Sequence, residues 1–319
     1  MSGLPYLDAA TVERLVPMGR AVRVLEEALR AGLDPEATPQ RPVVDVPAGQ
    51  LLLMPAATAR YAGVKAVTVA PGNPERGLPR IQGTYLLLDG ATLAPLAALD
   101  GIALTSLRTP AVSALAVRHL AGPEGGRLVV FGSGPQAWGH VLALRGVRPV
   151  TEVTVAGRDP GRAEALAARC RAAGLPATAL TQESDGDAVA AAVAGAALIA
   201  CCTTARRPLF PGRLARDGVT VVAVGSHEPG ARELDDDLVA RATVVVEARS
   251  AALQEAGDVI IPIRHGTITS GHLAGNLAEL IAGEVPPGPG PRVFKSTGMA
   301  WEDLVVAAAA YEAWQHDRT

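Results

Sequence analysis

The sequence predicts an α/β protein in which a Rossmann-type parallel sheet follows an N-terminal α+β domain. The first observation is a glycine-rich turn, Gly132-Ser133-Gly134-Pro135-Gln136-Ala137, between a short apolar strand and an apolar-periodic helix. The second is the strand–helix alternation after this turn, which is typical of parallel sheets with right-handed crossovers. The third is a group of closely spaced apolar strands before it, which favours hairpins and therefore a largely antiparallel sheet.

The N-terminal region begins with two predicted helices. Asp8 is suited to cap the first helix, which ends before Pro17, and Pro17 suits the first turn of the second, which runs to about Ala31. Short strands and then a longer helix follow, with the strands expected at 51–54, 64–70 and 84–88 and the helix at 102–120.

The C-terminal half alternates between the two kinds of element. Strands are predicted at 128–131, 152–156, 177–180, 197–201, 219–224 and 243–246, and helices at 160–173 and 186–194. The Pro/Gly-rich stretch 283–291 is the predicted linker, because these residues interrupt regular structure. A last Ala-rich helix is expected over Trp301–Trp314.

The composition is that of a globular chain without extended basic or apolar runs. Its 319 residues are 49% hydrophobic and carry a formal net charge of -3, enough length for two domains and a sizeable core. Uninterrupted apolar stretches stay below membrane-spanning length, and the first residues do not resemble a signal peptide. We therefore expect neither a nucleic-acid nor a membrane partner.

The cysteine and histidine residues favour a reducing compartment and no metal site. The three cysteines, Cys170, Cys201 and Cys202, are odd in number and include an adjacent pair, so they do not form a disulfide framework. This predicts a cytoplasmic protein. No Cys/His spacing suggests zinc, and we expect no metal.

The glycine-rich turn has the physical features of a dinucleotide site. Gly132 permits the tight turn, Gly134 lets the backbone approach a pyrophosphate, and Ala137 lets the helix pack close to the strand. The N-terminus of the helix offers free N–H groups to the anion. A glycine turn that binds no nucleotide is the alternative, and the flanking strand, helix and second βα unit favour nucleotide binding.

The end of the second strand of this sheet bears on the choice between NAD and NADP. A carboxylate there usually binds the ribose 2′-hydroxyl of NAD, whereas an arginine can pair with a 2′-phosphate. Gly157 and Arg158 occupy the position here, so we favour NADP(H). Asp159 follows directly and keeps NAD(H) possible, and the alternative for Arg158 is a solvated turn residue.

Several blocks of the sequence match one known family in order. They are Arg41, Leu53-Met54-Pro55-Ala56, Gly63-Val64-Lys65, Asn73-Pro74, Gly77-Leu78-Pro79, Leu104–Thr109, Val224–Pro229, Arg232–Asp235 and Val293–Gly298. On these residues the whole chain resembles the ornithine cyclodeaminase/mu-crystallin family. The resemblance implies a homodimer. It also implies a discontinuous domain for substrate binding and dimerisation, residues 1–118 and 293–319, completed by the C-terminal helix, and a dinucleotide-binding domain, residues 119–292.

The resemblance implies that Arg41, Lys65 and Arg108 bind a substrate carboxylate. Arginine forks grip such a group in a bidentate way, and lysine adds a point charge. Lys65 lies inside an apolar β-run and should meet an anion there, because an unpaired buried charge is costly. The alternatives are a solvated loop residue for Arg41, an edge-strand lysine for Lys65 and a solvated helix residue for Arg108.

Two departures separate this chain from true ornithine cyclodeaminases. His227 stands where those enzymes carry an aspartate, and Leu52 stands where they carry a glutamate that helps to recognise ornithine. Losing both carboxylates removes the partners of a diamino acid and favours the ketimine reductase and alanine dehydrogenase side of the family. His227 is a candidate proton donor or cofactor contact, with a loop histidine as the alternative. Arg80 replaces a small hydroxyl residue and either lines the substrate pocket or faces water.

The resemblance then implies an activity and further cofactor contacts. The contacts are expected from the glycine-rich turn (Gly132, Ser133, Gly134, Pro135, Gln136 and Ala137), Thr109, Arg158, Thr203, Gly225, Ser226, His227, Ser296 and Gly298. The expected activity is NAD(P)H-dependent reduction of 1-pyrroline-2-carboxylate or 1-piperideine-2-carboxylate to L-proline or L-pipecolate, with Lys65, His227 or water as the proton source. The alternatives are alanine dehydrogenase, ornithine cyclodeaminase, a specialised amino-acid dehydrogenase and an NADPH-dependent small-ligand binding protein of mu-crystallin type.

Overall fold

The computed structural model describes residues 3–286 and 288–318, without the side chain of Pro74. The chain divides into two compact units, which we call unit 1 (Met1–Ala111 with Met299–Thr319) and unit 2 (Val112–Gly298). Within the described residues no helix is long and apolar enough to cross a membrane.

The elements follow in chain order, with four short 3-10 turns left unlabelled. The first half contains β1 Tyr6–Leu7, α1 Ala9–Leu15, α2 Met18–Arg30, β2 Val43–Val46, β3 Gly49–Ala57, β4 Tyr61–Val69, β5 Ile81–Asp89, β6 Pro95–Asp100, α3 Gly101–Leu120, β7 Gly126–Phe131, α4 Pro135–Arg145 and β8 Val150–Gly157. The second half contains α5 Pro160–Ala172, β9 Ala177–Thr181, α6 Gly186–Gly195, β10 Leu198–Cys201, β11 Thr220–Ala223, α7 Asp236–Arg241, β12 Thr243–Val246, α8 Arg249–Glu255, α9 Gly257–Arg264, β13 Leu273–Asn276, α10 Leu277–Ala282, β14 Arg292–Lys295 and α11 Ala300–His316.

Unit 1 contains a six-stranded sheet in the order β1-β6-β5-β4-β3-β2. Strands β2 to β6 pair antiparallel, as predicted, and only the short β1 pairs parallel, with β6. Asp8 caps α1 by accepting a hydrogen bond from Thr11 N at 2.9 Å, whereas Pro17 lies just before α2 and not in its first turn. Helix α11 packs on β3, β4 and β5. This packing covers the face on which every second residue of β4 is buried.

Unit 2 contains an eight-stranded, wholly parallel sheet in the order β13-β12-β14-β11-β10-β7-β8-β9. The chain runs outward from β7 through β8 to β9 and then returns to β10 on the other side of β7. The point between β7 and β10 is therefore a topological switch point, where ligands bind in sheets of this kind. The predicted glycine-rich turn follows β7 and lies at this point.

The structure corrects both expected domain boundaries. The boundary expected after residue 118 lies at Ala111/Val112, inside the continuous helix α3, where no change in composition marks it. Residues 293–298 belong to unit 2, because the buried Val293 and Phe294 place β14 in the middle of the parallel sheet. The Pro/Gly-rich stretch 283–291 therefore joins α10 to β14 within unit 2 and does not link the units.

Candidate functional site

The glycine-rich turn of unit 2 is built as the sequence predicts. Gly132 has a φ of +107°, and a Cβ there would lie 2.5 Å from the carbonyl oxygen of Cys202, so only glycine fits. Ala137 is fully buried where α4 meets the sheet. By contrast, a Cβ on Gly134 would meet no protein atom within 4 Å. The protein itself does not require a glycine at 134, whereas a pyrophosphate approaching the backbone would.

The N-terminus of α4 fits an anionic group. Gly134 is the N-cap residue, Pro135 occupies the first turn, and no described side chain caps the helix. The first-turn N–H groups and the positive end of the helix dipole are the features that bind a phosphate in this fold. The turn therefore fits the pyrophosphate of a dinucleotide, with Ser133 and Gln136 beside it.

A buried histidine, which the sequence analysis did not single out, supports this turn. His140 Nδ1 lies 2.8 Å from the carbonyl oxygen of Gln136, and its Nε2 lies 2.9 Å from Ser113 Oγ. Burial lowers the pKa of His140 to about 4, so the ring is neutral near pH 7. Because a carbonyl only accepts, Nδ1 carries the proton and Nε2 accepts from the serine. The imidazole thus ties the first turn of α4 to α3.

The other cofactor-contact candidates in unit 2 follow the carboxyl ends of parallel strands and so share one edge of the sheet. Arg158 follows β8, Thr203 follows β10, Gly225–His227 follows β11 and Ser296–Gly298 follows β14. His227 and Arg158 are exposed, whereas Ser226 and Ser296 are buried. The remaining candidate, Thr109, is buried on the part of α3 that belongs to unit 1.

Two buried carboxylates accept hydrogen bonds from polar groups in these loops. Glu233, which is fully buried, accepts from Thr203 N, Thr203 Oγ1 and Gly225 N, each at 2.8 Å. Glu247 accepts from Ser296 Oγ at 2.6 Å, Thr297 N at 2.9 Å and Gly298 N at 2.8 Å. These donors point into the protein, so the hydrogen bonds seen at the candidate residues shape the loops.

A buried lysine completes this network. Lys295 Nζ donates to the carbonyl oxygens of Ala223 at 3.2 Å and Ser226 at 2.6 Å, and it lies 3.2 Å from Asp258 Oδ2. The other oxygen of Asp258 accepts from the backbone N–H groups of Glu233 at 2.7 Å and Leu234 at 2.8 Å. Burial raises the pKa of Glu233, and the nearby Lys295 opposes this increase. Buried charged side chains therefore fix the conformation of the loop that carries His227.

The two residues after β8 that could bind the adenosine ribose of the cofactor have different surroundings. Asp159 caps α5, because its Oδ1 accepts from Arg162 N at 2.9 Å. Arg158, one residue earlier, is exposed. The carboxylate of Asp159 is thus engaged in capping α5, whereas Arg158 is exposed at the end of the strand.

The second group of candidates lies in unit 1 and centres on Lys65. Lys65 is in the interior strand β4, opposite Met54 on β3 and Tyr85 on β5, and is only 1% exposed. Its ammonium lies 2.7 and 2.8 Å from the two carboxylate oxygens of Asp303 and 3.0 Å from Thr105 Oγ1. The prediction that Lys65 meets an anion is confirmed, and a solvated edge-strand lysine is excluded.

Arg108 joins the same cluster from α3. Its Nη1 lies 2.8 Å from Glu302 Oε2 and its Nε lies 3.3 Å from Asp303 Oδ1, and both carboxylates are fully buried. Burial lowers the pKa of Lys65 to about 8, Asp303 opposes this decrease, and Arg108 adds to it. We call Lys65, Arg108, Glu302 and Asp303 the unit 1 cluster. Its cations are recognisable in the sequence, whereas its carboxylates are not.

The remaining substrate candidates occupy different positions in unit 1. Arg41 is half-buried in the segment before β2, and Arg80 is exposed just before β5. Leu52 and Met54 are buried on the face of β3 that pairs with Val67 and Lys65. Around Lys65, the neighbouring sheet residues Leu52, Met54 and Val67 are apolar, whereas Thr105 Oγ1 and the buried hydroxyl of Tyr85 are polar.

A parallel sheet with a glycine turn and an uncapped helix at its switch point defines a dinucleotide-binding protein of the dehydrogenase class. The sequence model of the ornithine cyclodeaminase/mu-crystallin family matches residues 6–318, and the chain belongs to this family. By fold and family it is an NAD(P)-dependent oxidoreductase.

Relatives and solved structures cover most of the chain. The Delta(1)-pyrroline-2-carboxylate reductase of Bacillus cereus (strain ATCC 10987) is 37% identical over 78% of this chain and 76% of its own. The Delta(1)-pyrroline-2-carboxylate/Delta(1)-piperideine-2-carboxylate reductase of Azospirillum brasilense is 34% identical over 98% of this chain and 97% of its own. The Thermococcus litoralis Delta(1)-pyrroline-2-carboxylate reductase, solved with NADH and L-proline, superposes with a TM-score of 0.91 at 30% identity, covering 99% of each chain.

Proposed function

We propose that this protein reduces cyclic 2-carboxy imines with NAD(P)H, converting 1-pyrroline-2-carboxylate or 1-piperideine-2-carboxylate into L-proline or L-pipecolate. The observation that carries this proposal is the buried Lys65 ammonium, beside Arg108 on a largely apolar sheet face. The names of the Bacillus and Azospirillum relatives and the L-proline bound to the Thermococcus enzyme support the same substrate class.

The cations of unit 1 bind the substrate carboxylate in this proposal. Arg108 offers a planar guanidinium fork, and Lys65 offers a compact ammonium. Within the cluster their two positive charges are balanced by Glu302 and Asp303. A bound carboxylate therefore requires additional positive charge, and half-buried Arg41 is the candidate that supplies it.

The reaction adds a hydride to the C=N carbon and a proton to the ring nitrogen. The reduced nicotinamide supplies the hydride when bound, and the Gly132–Ala137 turn and the first turn of α4 would hold its pyrophosphate. Lys65 supplies the proton: with a pKa of about 8 it is largely protonated at pH 7, yet it gives up the proton more readily than an ordinary lysine. The neutral amine must regain a proton before the next turnover. The exposed His227 is the second candidate for the proton.

The apolar surroundings of Lys65 favour a ring over a diamino acid. Leu52 and Met54 provide no charge, and the carboxylates of the unit 1 cluster already face Lys65 and Arg108. The distal ammonium of ornithine would lie without a carboxylate partner on this face, which is costly in an apolar site. The carboxylate of pyruvate would pair with the same cations, Lys65 and Arg108. Alanine dehydrogenation, which uses pyruvate and ammonia, is therefore the second candidate activity.

NADP(H) is the proposed cofactor, with NAD(H) as the alternative. Support comes from the exposed Arg158 at the end of β8 and from the use of Asp159 as a helix cap. Against it stands the NADH bound to the Thermococcus relative.

A homodimer is the proposed assembly. Strand β2 forms an edge of the unit 1 sheet, and its Val43, Val44 and Val46 are 50%, 47% and 41% exposed. An exposed apolar edge strand invites pairing with another chain. We propose that a second copy covers it, which sedimentation equilibrium would test.

The test is an assay of four reactions with both cofactors. Loss of reduced-nicotinamide absorbance is followed with 1-pyrroline-2-carboxylate, with 1-piperideine-2-carboxylate and with pyruvate plus ammonia, and proline formation is followed with ornithine and NAD. We expect turnover of a cyclic imine, and the faster one identifies the ring. Turnover only with pyruvate and ammonia would establish the second candidate activity, and proline from ornithine would show that the missing carboxylates are not needed. If no reaction occurs, single-turnover mixing shows whether the protein is a nucleotide-dependent binding protein. Such a protein changes the fluorescence of the reduced cofactor but does not oxidise the cofactor.

A further inference from the structure

Asp303 contacts the proposed proton donor through both of its carboxylate oxygens. Both of its oxygens lie within 2.8 Å of Lys65 Nζ, and Oδ1 also lies 3.3 Å from Arg108 Nε. We propose that Asp303 is a positioning residue that keeps Lys65 charged and aimed, and that it remains paired with Arg108 after the proton has left. This inference rests on the proposed imine reduction and on Lys65 as its proton donor.

The geometry limits where the ammonium can point. An ammonium has three N–H donors. Thr105 Oγ1 donates to the carbonyl oxygen of Gly101 at 2.8 Å, so at 3.0 Å it accepts from Lys65. The Asp303 carboxylate takes at least one more donor. At most one N–H then remains for an incoming acceptor, and its direction is fixed by the other two.

The bridge to Arg108 keeps the carboxylate paired throughout the reaction. When Lys65 gives its proton to the imine nitrogen, the N–H bond of the ammonium breaks and a neutral amine remains. Asp303 would then be a buried, uncompensated anion, which is strongly unfavourable. Its contact with the permanently charged Arg108, which also pairs with Glu302, leaves Asp303 with a cationic partner at that stage. Water reaches Lys65 poorly, because the side chain is 1% exposed, so the ion pair determines its charge between turnovers.

The charged and titratable groups around Lys65 set the sign of the expected effect. They are Asp303 and Glu302 from α11, Arg108 from α3 and Tyr85 from β5. Burial lowers the pKa of Lys65, Asp303 raises it more than Glu302 does, and Arg108 lowers it. Burial raises the pKa of Tyr85 well above 10, so its phenol stays neutral and is not a competing acid near neutral pH. Removing the Asp303 charge must therefore lower the pKa of Lys65 further.

The experiment compares the pH dependence of imine reduction in wild type, Asp303→Asn and Glu302→Gln. A general acid acts only while protonated, so kcat/KM is high at low pH and falls as pH rises through the pKa of Lys65. We expect this fall to occur about one to three pH units lower in Asp303→Asn, the range for loss of a close opposite charge. Glu302→Gln is the matched control: it removes a neighbouring buried charge that contacts Arg108 and not Lys65, so we expect a smaller displacement of the pH profile.

The outcomes separate the two proposals. If wild type reduces no cyclic imine, the proposed function fails. If wild type is active but Asp303→Asn loses rate equally at every pH, or if both variants move the profile equally, the positioning role is overturned. Nucleotide binding followed by fluorescence shows whether each variant is folded. Should Asp303→Asn not fold, Asp303→Glu keeps the charge and moves it by one methylene. We then expect the wild-type pH profile with at least about tenfold lower kcat, and an unchanged kcat would overturn the role.

Discussion

Among the described residues, each unit contains a buried charge cluster, and the two are built differently. In the unit 1 cluster, Lys65 and Arg108 contact the carboxylates of Glu302 and Asp303, side chain to side chain. In unit 2, Glu233, Glu247, Asp258 and Lys295 bond mainly to backbone N–H groups and carbonyl oxygens. We call these four residues the unit 2 cluster. Both clusters are buried, and the unit 2 cluster is bonded to the backbone of the loops themselves.

The difference indicates different uses of buried charge. Side chains that are bonded to other side chains can exchange partners by rotation, so the unit 1 cluster can admit a substrate carboxylate without a change of backbone. Carboxylates bonded to backbone groups fix the conformation of a loop, because each bond must be replaced if the loop moves. We therefore expect changes in the unit 1 cluster to alter chemistry and changes in the unit 2 cluster to alter stability and loop shape.

The largest effect is expected for Lys65→Met. The variant loses the proposed proton donor and a carboxylate contact, so we expect imine reduction to fall by at least about 10³-fold, within the range for loss of a general acid. Nucleotide binding should persist, because the glycine-rich turn lies in unit 2. Steady-state kinetics and cofactor fluorescence measure both quantities. Full activity in this variant would show that Lys65 does not donate the proton.

Lys295→Met tests the unit 2 cluster with the same substitution. Lys295 is 1% exposed and lies 3.2 Å from Asp258, so its removal leaves a buried carboxylate without this partner. Breaking such a pair costs about 3–5 kcal/mol, and we expect the free energy of unfolding to fall by that amount in urea titrations. Activity per folded molecule should fall far less than in Lys65→Met. A stability loss below about 1 kcal/mol, with an activity loss equal to that of Lys65→Met, would reverse the assigned roles.

The sequence was informative where the signal is local. The glycine-rich turn and most strands of the parallel sheet follow from short apolar runs and turn residues, and Lys65 and Arg108 were found through ordered motifs. Asp303 was missed because it lies 238 residues from Lys65, and contacts over such a separation are not visible in a single sequence. The available signal was the adjacent pair Glu302-Asp303 opening an Ala-rich helix, a pattern that usually only complements the helix dipole.

Strand β14 was assigned to the wrong domain for a related reason. Its four residues are too few to show a period, and the Pro/Gly-rich stretch before it resembles an interdomain linker. The sequence pattern also does not identify the carboxylates of the unit 2 cluster as buried. Glu247, for example, simply follows an apolar strand. Sequence patterns thus identify elements, whereas the partners of buried charges depend on the tertiary fold.

The smallest effect is expected at Arg158, which is exposed and belongs to neither cluster. Arg158→Ala should raise the KM for NADPH by about tenfold and leave the KM for NADH nearly unchanged, because only NADPH carries the 2′-phosphate that an arginine fork binds. Asp159→Ala is the matched control: it removes the cap of α5 and should lower stability by about 1 kcal/mol without discriminating between the cofactors. Equal changes in both KM values for Arg158→Ala would show that the arginine is a solvated turn residue. A shift toward NADPH in Asp159→Ala would show that the aspartate acts on the ribose in addition to capping the helix.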